Sequence, residues 1–220
     1  MKTYQVEITG TMPLLMHQDN VEWADAMTAW KNDPGNRKKS VAGDDRTPAF
    51  RWLGSVYNDG EHVTLPSENL MKALMEGGAM VPVPGGRSGK TFKAQTQSGM
   101  MIGEAFWPLR VKGNAIPWAN LEALTKEEDY AVHQKTAADL GFMLFLKRVK
   151  IGQSKHIRVR PRFDSWSASG TLNVWDEQLT LPVLKDIFVY AGKFKGLCDW
   201  RPSSPSKPGS FGMFEAKVSE

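Results

Sequence analysis

The chain has 220 residues, 41% of them hydrophobic and 24% charged, with 28 basic and 24 acidic side chains for a formal charge of +4. That composition excludes disorder as the dominant state, and the length suits one large domain or one domain carrying an inserted lobe. No apolar run approaches the roughly 20 residues that span a bilayer, and Met1 to Gly10 lacks a secretory pattern, so a cytoplasmic protein without membrane contact is expected.

Tyr4, Val6 and Ile8 alternate with polar neighbours, the period of a strand with one buried face. His17 to Asp59 is rich in polar and charged residues and has one amphipathic turn at Trp23, Met27 and Trp30. It reads as an inserted lobe over 17–60 of an otherwise single domain. His62 to Leu65 is a short strand, after which Ser67 is placed to cap a helix carrying Leu70, Met71, Leu74 and Met75, with Gly77 to close it. Val81 to Gly103 is loop-like.

Ala105 to Val111 reads as a strand and Leu121 to Leu140 as weakly helical. Phe142 to Ile151 and Ile157 to Phe163 read as antiparallel strands about a Gly-Gln-Ser turn, followed by alternation through Thr171, Asn173 and Trp175. Thr180 and Pro182 start a second helix with Leu184, Ile187, Phe188 and Ala191 on one face. Phe211 to Val218 is the last strand. This order predicts an α+β, ferredoxin-like βαββαβ core, similar to an RNA-recognition motif, with an inserted lobe and glycine-rich loops.

The single cysteine, Cys198, and four scattered histidines supply neither a disulfide framework nor metal-ligand spacing, so no metal or cofactor is expected. Gly85 to Thr91 ends in Gly-Lys-Thr, but Pro84 stands where a phosphate-binding loop needs glycine. Gly86 to Gly89 has the Gly-x-x-Gly form of a backbone clamp, with Arg87, Lys90 and Lys93 as nearby cations. A flexible surface loop explains the same residues equally well.

Charge is concentrated in one window. Lys147 to Arg162 holds seven basic residues and no acid, which leaves 21 basic against 24 acidic elsewhere. On a strand, Arg158, Arg160 and Arg162 share one face at spacings of about 6 to 7 Å, close to that of successive phosphates. An anionic partner is therefore expected, with Phe163, Trp166 and Trp175 near enough to stack on bases. The plainer alternative pairs these arginines with acids of the lobe. Asp19, Asp25, Asp33, Asp44 and Asp45 populate that lobe, without a motif that makes any of them catalytic.

Three segments together carry a resemblance: Val6 to Leu14, VEITGTMPL; His62 to Leu74, HVTLPSENLMKAL; and Gly196 to Val218, GLCDWRPSSPSKPGSFGMFEAKV. They resemble the repeat-associated mysterious protein (RAMP) superfamily, which includes backbone subunits of CRISPR effector complexes, and more narrowly a group of phage and prophage proteins. The resemblance implies a ferredoxin-like core and subunits that line up along a single strand inside a bacterial cell. The C-terminal loop departs from the family pattern at Cys198 and at prolines 202, 205 and 208.

The function expected from the sequence is binding of single-stranded RNA or DNA, without catalysis, by an oligomer or a subunit of a nucleoprotein complex. Lys147, Lys150, Lys155, Arg158, Arg160 and Arg162 would contact phosphates. Arg87, Lys90 and Lys93 would close over the strand, and Trp200 and Arg201 would contribute from the C-terminal loop. The alternatives are an assembly subunit with a basic docking face and a metal-dependent nuclease using the lobe carboxylates.

Overall fold

A computed structural model describes residues 1–86, 89–205 and 207–220, except for the side chain of Ile151. The elements are β1 (Lys2–Gly10), β2 (Leu14–Leu15), α1 (Val21–Asn32), β3 (Thr64–Pro66), α2 (Ser67–Gly78), α3 (Lys93–Ser98), β4 (Met100–Ile102), β5 (Phe106–Pro108), β6 (Arg110–Val111), β7 (Asn114–Ala115), α4 (Ala119–Glu122), α5 (Tyr130–Asp139), β8 (Met143–Ile151), β9 (Ser154–Phe163), β10 (Ser167–Val174), α6 (Leu181–Tyr190) and β11 (Phe214–Ser219). The fold is mixed α and β with antiparallel sheets. Two compact units form, the first from Met1–Leu14, Thr64–Ala115 and Asp164–Glu220, the second from Leu15–Val63 and Ile116–Phe163.

In the first unit β1 lies between β11 and β10, giving the order β11-β1-β10-β6-β7 with β4 also paired to β10. The alternation in β1 buries Tyr4, Val6 and Ile8. The opposite face is polar, with Thr3, Gln5 and Glu7 directly across from Asn173, Thr171 and Ser169. α2 and α6 pack together through stripes that include Leu70, Leu74, Leu184 and Ile187, all buried.

Two helix-end expectations need correction. Ser67 makes no capping bond with its side chain; it is the first residue of α2 and its amide donates to the Ala105 carbonyl at 2.8 Å. Gly77 does not reverse the chain, because α2 continues to Gly78. A Cβ at Gly77 would sit 2.7 Å from the Ile187 carbonyl oxygen, so glycine here serves the close approach of α6. Within 81–103, read as loop, α3 and β4 form.

In the second unit the sheet order is β2-β9-β8. The segment 17–60 belongs wholly to this unit but does not make it alone. Trp52 is 1% exposed and packs on Phe142, with ring centroids 6.0 Å apart, and Phe142 packs on Phe163 at 4.9 Å. Within the lobe Trp23 and Trp30 pack edge-on against Phe50, whereas Trp52 completes its core against 116–163.

Candidate nucleic-acid interface

The basic window folds as the β8–β9 ribbon, with pairs running from Met143↔Arg162 to Ile151↔Ser154. Directly opposed residues share a face, which places Lys147 beside Arg158, with Arg160 and Arg162 further along the same side. Lys150 and Lys155 oppose each other as well, but alternation sends them to the other face together with Arg148. They therefore do not extend the arginine row. Near its base that second face carries the buried Leu144, Val159 and Phe163, and toward the turn it becomes exposed and cationic at Arg148, Lys150 and Lys155.

The arginine row also has an acid that the local sequence does not contain. The Asp45 amide donates to the Ile157 carbonyl at 3.0 Å and the Ile157 amide donates to Gly43 at 2.7 Å, which pins 43–45 along the edge of β9 that faces away from β8. Asp45 is consequently 4% exposed, and a buried carboxylate needs charged or hydrogen-bonding partners. Arg158 Nη1 donates to its Oδ1 at 2.9 Å, while Arg51 Nε approaches at 3.4 Å and Arg160 Nη1 at 3.6 Å.

The three arginines of the row thus occupy three settings. Arg158 is tied to Asp45, and Arg160 also donates to the Val159 carbonyl at 2.9 Å and meets His17 Nε2 at 3.1 Å. Arg162 lies over the Phe145 ring, 5.6 Å from its centroid.

Beside Asp45 a cavity of about 330 Å³ opens, lined by residues of α1 and by Gln18, Asp45, Arg51, Arg158 and Arg160. Asn20 caps α1, accepting from the Trp23 amide at 2.9 Å, and Trp23 Nε1 donates to the Arg51 carbonyl at 3.2 Å. These bonds hold the helix and the Arg51 segment together. Partial burial, then the Arg51 guanidinium, lower the Lys31 ammonium below its usual value.

Arg51 did not figure among the sequence candidates. A signal for it exists: it is a lone charge between Phe50 and Trp52, both buried, and such a charge requires a partner.

The remaining sequence candidates belong to the first unit, apart from Arg87, which lies outside the described residues. Lys90 is exposed, and its carbonyl accepts from Val83 at 3.0 Å. Lys93 opens α3 and lines a shallow groove with Lys72 and Lys195. Trp200, at φ 55°, stacks on Phe211 with centroids 5.9 Å apart. Arg201 donates to the Cys198 carbonyl at 2.9 Å and to Ser203 Oγ at 3.0 Å, so its guanidinium holds the C-terminal loop in shape. Cys198 is buried, which pushes its thiol up to about 12.

Of the aromatic residues considered for stacking, Phe163 and Trp166 are buried, and Trp166 Nε1 donates to the Met12 carbonyl at 2.9 Å. Trp175 is 47% exposed.

Asp33, Asp44 and Asp45 of the lobe have structural partners. A hydrogen bond from Arg46 holds the Asp44 carboxyl below the usual range, and Asp33 accepts from the Gly35 amide at 2.8 Å. Among the described residues no group of three His, Cys, Asp or Glu side chains is arranged to hold a metal ion, and no helix is long and apolar enough to cross a membrane. No protein-family model matches the chain, and no curated protein matches it in sequence.

Proposed function

We propose that the chain binds single-stranded RNA or DNA, without cutting it, along the β8–β9 ribbon, and that several copies line up on one strand. The observation that carries this reading is the ribbon itself: seven cations and no acid between Lys147 and Arg162, with Arg148, Lys150 and Lys155 exposed toward its turn. Same-face cations one strand period apart lie about 6 to 7 Å from each other, a spacing suited to phosphates of an extended strand. Neutralising those phosphates would release counterions and give binding its driving force.

The strand order supports a ferredoxin-like core of the kind implied by the RAMP resemblance. α2 lies between β1 and β4 in the chain, α6 lies between β10 and β11, and β11, β1, β10 and β4 are successive neighbours in the sheet. The exposed face of β1 and β10 carries no aromatic side chain in its paired positions. Base stacking in the manner of an RNA-recognition motif is therefore assigned no role, and the ribbon is the proposed track.

Fluorescence anisotropy with a labelled single-stranded oligonucleotide at two salt concentrations tests the proposal. Affinity should fall steeply as salt rises, and replacing both Lys150 and Lys155 with Gln should weaken binding to all sequences alike and reduce the salt slope by about two. Binding absent at low salt, or indifferent to salt, would overturn it. Cleavage that requires Mg²⁺ and stops with chelator would favour the nuclease alternative, and a protein partner retained after nuclease treatment would favour the docking alternative.

A further inference from the structure

We propose that the cavity beside Asp45 is a receptor for a phosphate monoester, the group carried by a free nucleotide or by the phosphorylated end of a strand. This goes beyond strand binding by the ribbon, since Arg51, Lys31 and Gln18 lie outside β8 and β9 and an internal phosphodiester is not its ligand.

The charge balance points to a dianion. The cavity is lined by Lys31, Arg51, Arg158 and Arg160 against Asp19 and Asp45, a surplus of two positive charges. A phosphate monoester carries close to two negative charges at neutral pH, whereas each internal phosphodiester carries one. Asp45 acts as the positioning residue. From one buried point it holds three guanidinium groups within 3.6 Å of its oxygens, and planar guanidinium groups suit phosphate oxygens through paired N–H donors.

The arginines are partly withdrawn from water, with side chains 27%, 29% and 17% exposed for Arg51, Arg158 and Arg160. Their charge is thus screened less than that of exposed lysines. Lys31, lowered first by burial and then by the Arg51 guanidinium, lies beside the same cations.

Two further features suit a sugar phosphate rather than a bare inorganic ion. The volume of about 330 Å³ lies at the lower end of small-molecule sites. Trp23 borders the same space and offers an apolar surface to a base.

Isothermal titration with AMP, adenosine and inorganic phosphate, alongside 5′-phosphorylated and 5′-hydroxyl versions of one oligonucleotide, tests this. AMP binding without adenosine binding identifies a free nucleotide as the source. Preference for the phosphorylated oligonucleotide without AMP binding identifies a strand end, and both outcomes support the proposal. Arg51→Gln should weaken the phosphate-dependent binding roughly tenfold or more, with Arg51→Lys partly restoring it, and affinity should decline below about pH 6 as the phosphate takes up its second proton.

The proposal is overturned if neither pair is discriminated, or if folded Arg51→Gln discriminates as well as the parent protein. Should Arg51→Gln fail to fold, the parent protein's own discrimination decides. The Lys150→Gln and Lys155→Gln changes leave the cavity untouched, so failure of the ribbon reading and failure of this one are separable.

Discussion

Asp45 and Arg158, 113 positions apart in the chain, meet at 2.9 Å, with the carboxylate almost wholly removed from solvent. Arg51 and Arg160 converge on the same carboxylate. Asp45→Asn removes the charge that holds these cations together and leaves them facing one another. The expected loss is about 3 kcal/mol, the lower end for a broken buried pair because the arginines keep some contact with water. Urea unfolding measures it, and a second change, Arg158→Met, should recover part of the loss by relieving the repulsion.

His133 is buried, and its ring has both nitrogens occupied. Trp52 Nε1 donates to Nδ1 at 3.1 Å, and Nε2, 3.0 Å from the Glu127 carbonyl, is then the nitrogen that carries the proton. Burial lowers its pKa below the ordinary 6.5. The unfolded chain therefore binds the proton more readily than the folded one, so stability is held above about pH 6.5 and lost as pH falls through the lowered folded value. Thermal melts from pH 8 to pH 5 should show this decline, and His133→Gln should flatten it at the cost of lower stability at pH 8.

Gly192 lies where the chain leaves α6, and a methyl group there would overlap the carbonyl oxygen of Phe214 on β11. Backbone is the obstacle, so no side-chain rotation relieves it. Gly192→Ala should destabilise the protein by about 1 to 3 kcal/mol, as overpacking does. Gly113→Ala is a useful contrast: it has open space around its Cβ position and a φ of 84°, so its penalty comes from backbone conformation alone.

Cys198 is buried, with its thiol raised to about 12. A maleimide or disulfide reagent at pH 8 should react with the native protein far more slowly than with the unfolded chain, because the thiolate is the reactive form. Fast labelling of native protein would show that the C-terminal loop opens readily.

Local patterns were legible where one residue period decides the outcome. The buried face of β1, the apolar stripes of α2 and α6, and the pairing of β8 with β9 all follow from periods of 2 and 3.6 in the residue order. The helix ends were less legible. Ser67 has the residue type of a cap, yet the preceding strand carries its amide to Ala105, and Gly77 has the type of a helix stop, yet α6 packs against it.

The candidate site divides in the same way. The residue order alone determined that seven cations lie on one ribbon, and its alternation already implied that Lys150 and Lys155 leave the face of Arg158. Only the tertiary structure decided which acid answers the arginines, because Asp45 reaches them through a backbone bridge from a distant segment to the edge of β9. It also decided that Arg51 joins them. A carboxylate forced out of water gathers whatever cations the fold brings within reach, and that is a property of three-dimensional placement rather than of spacing along the chain.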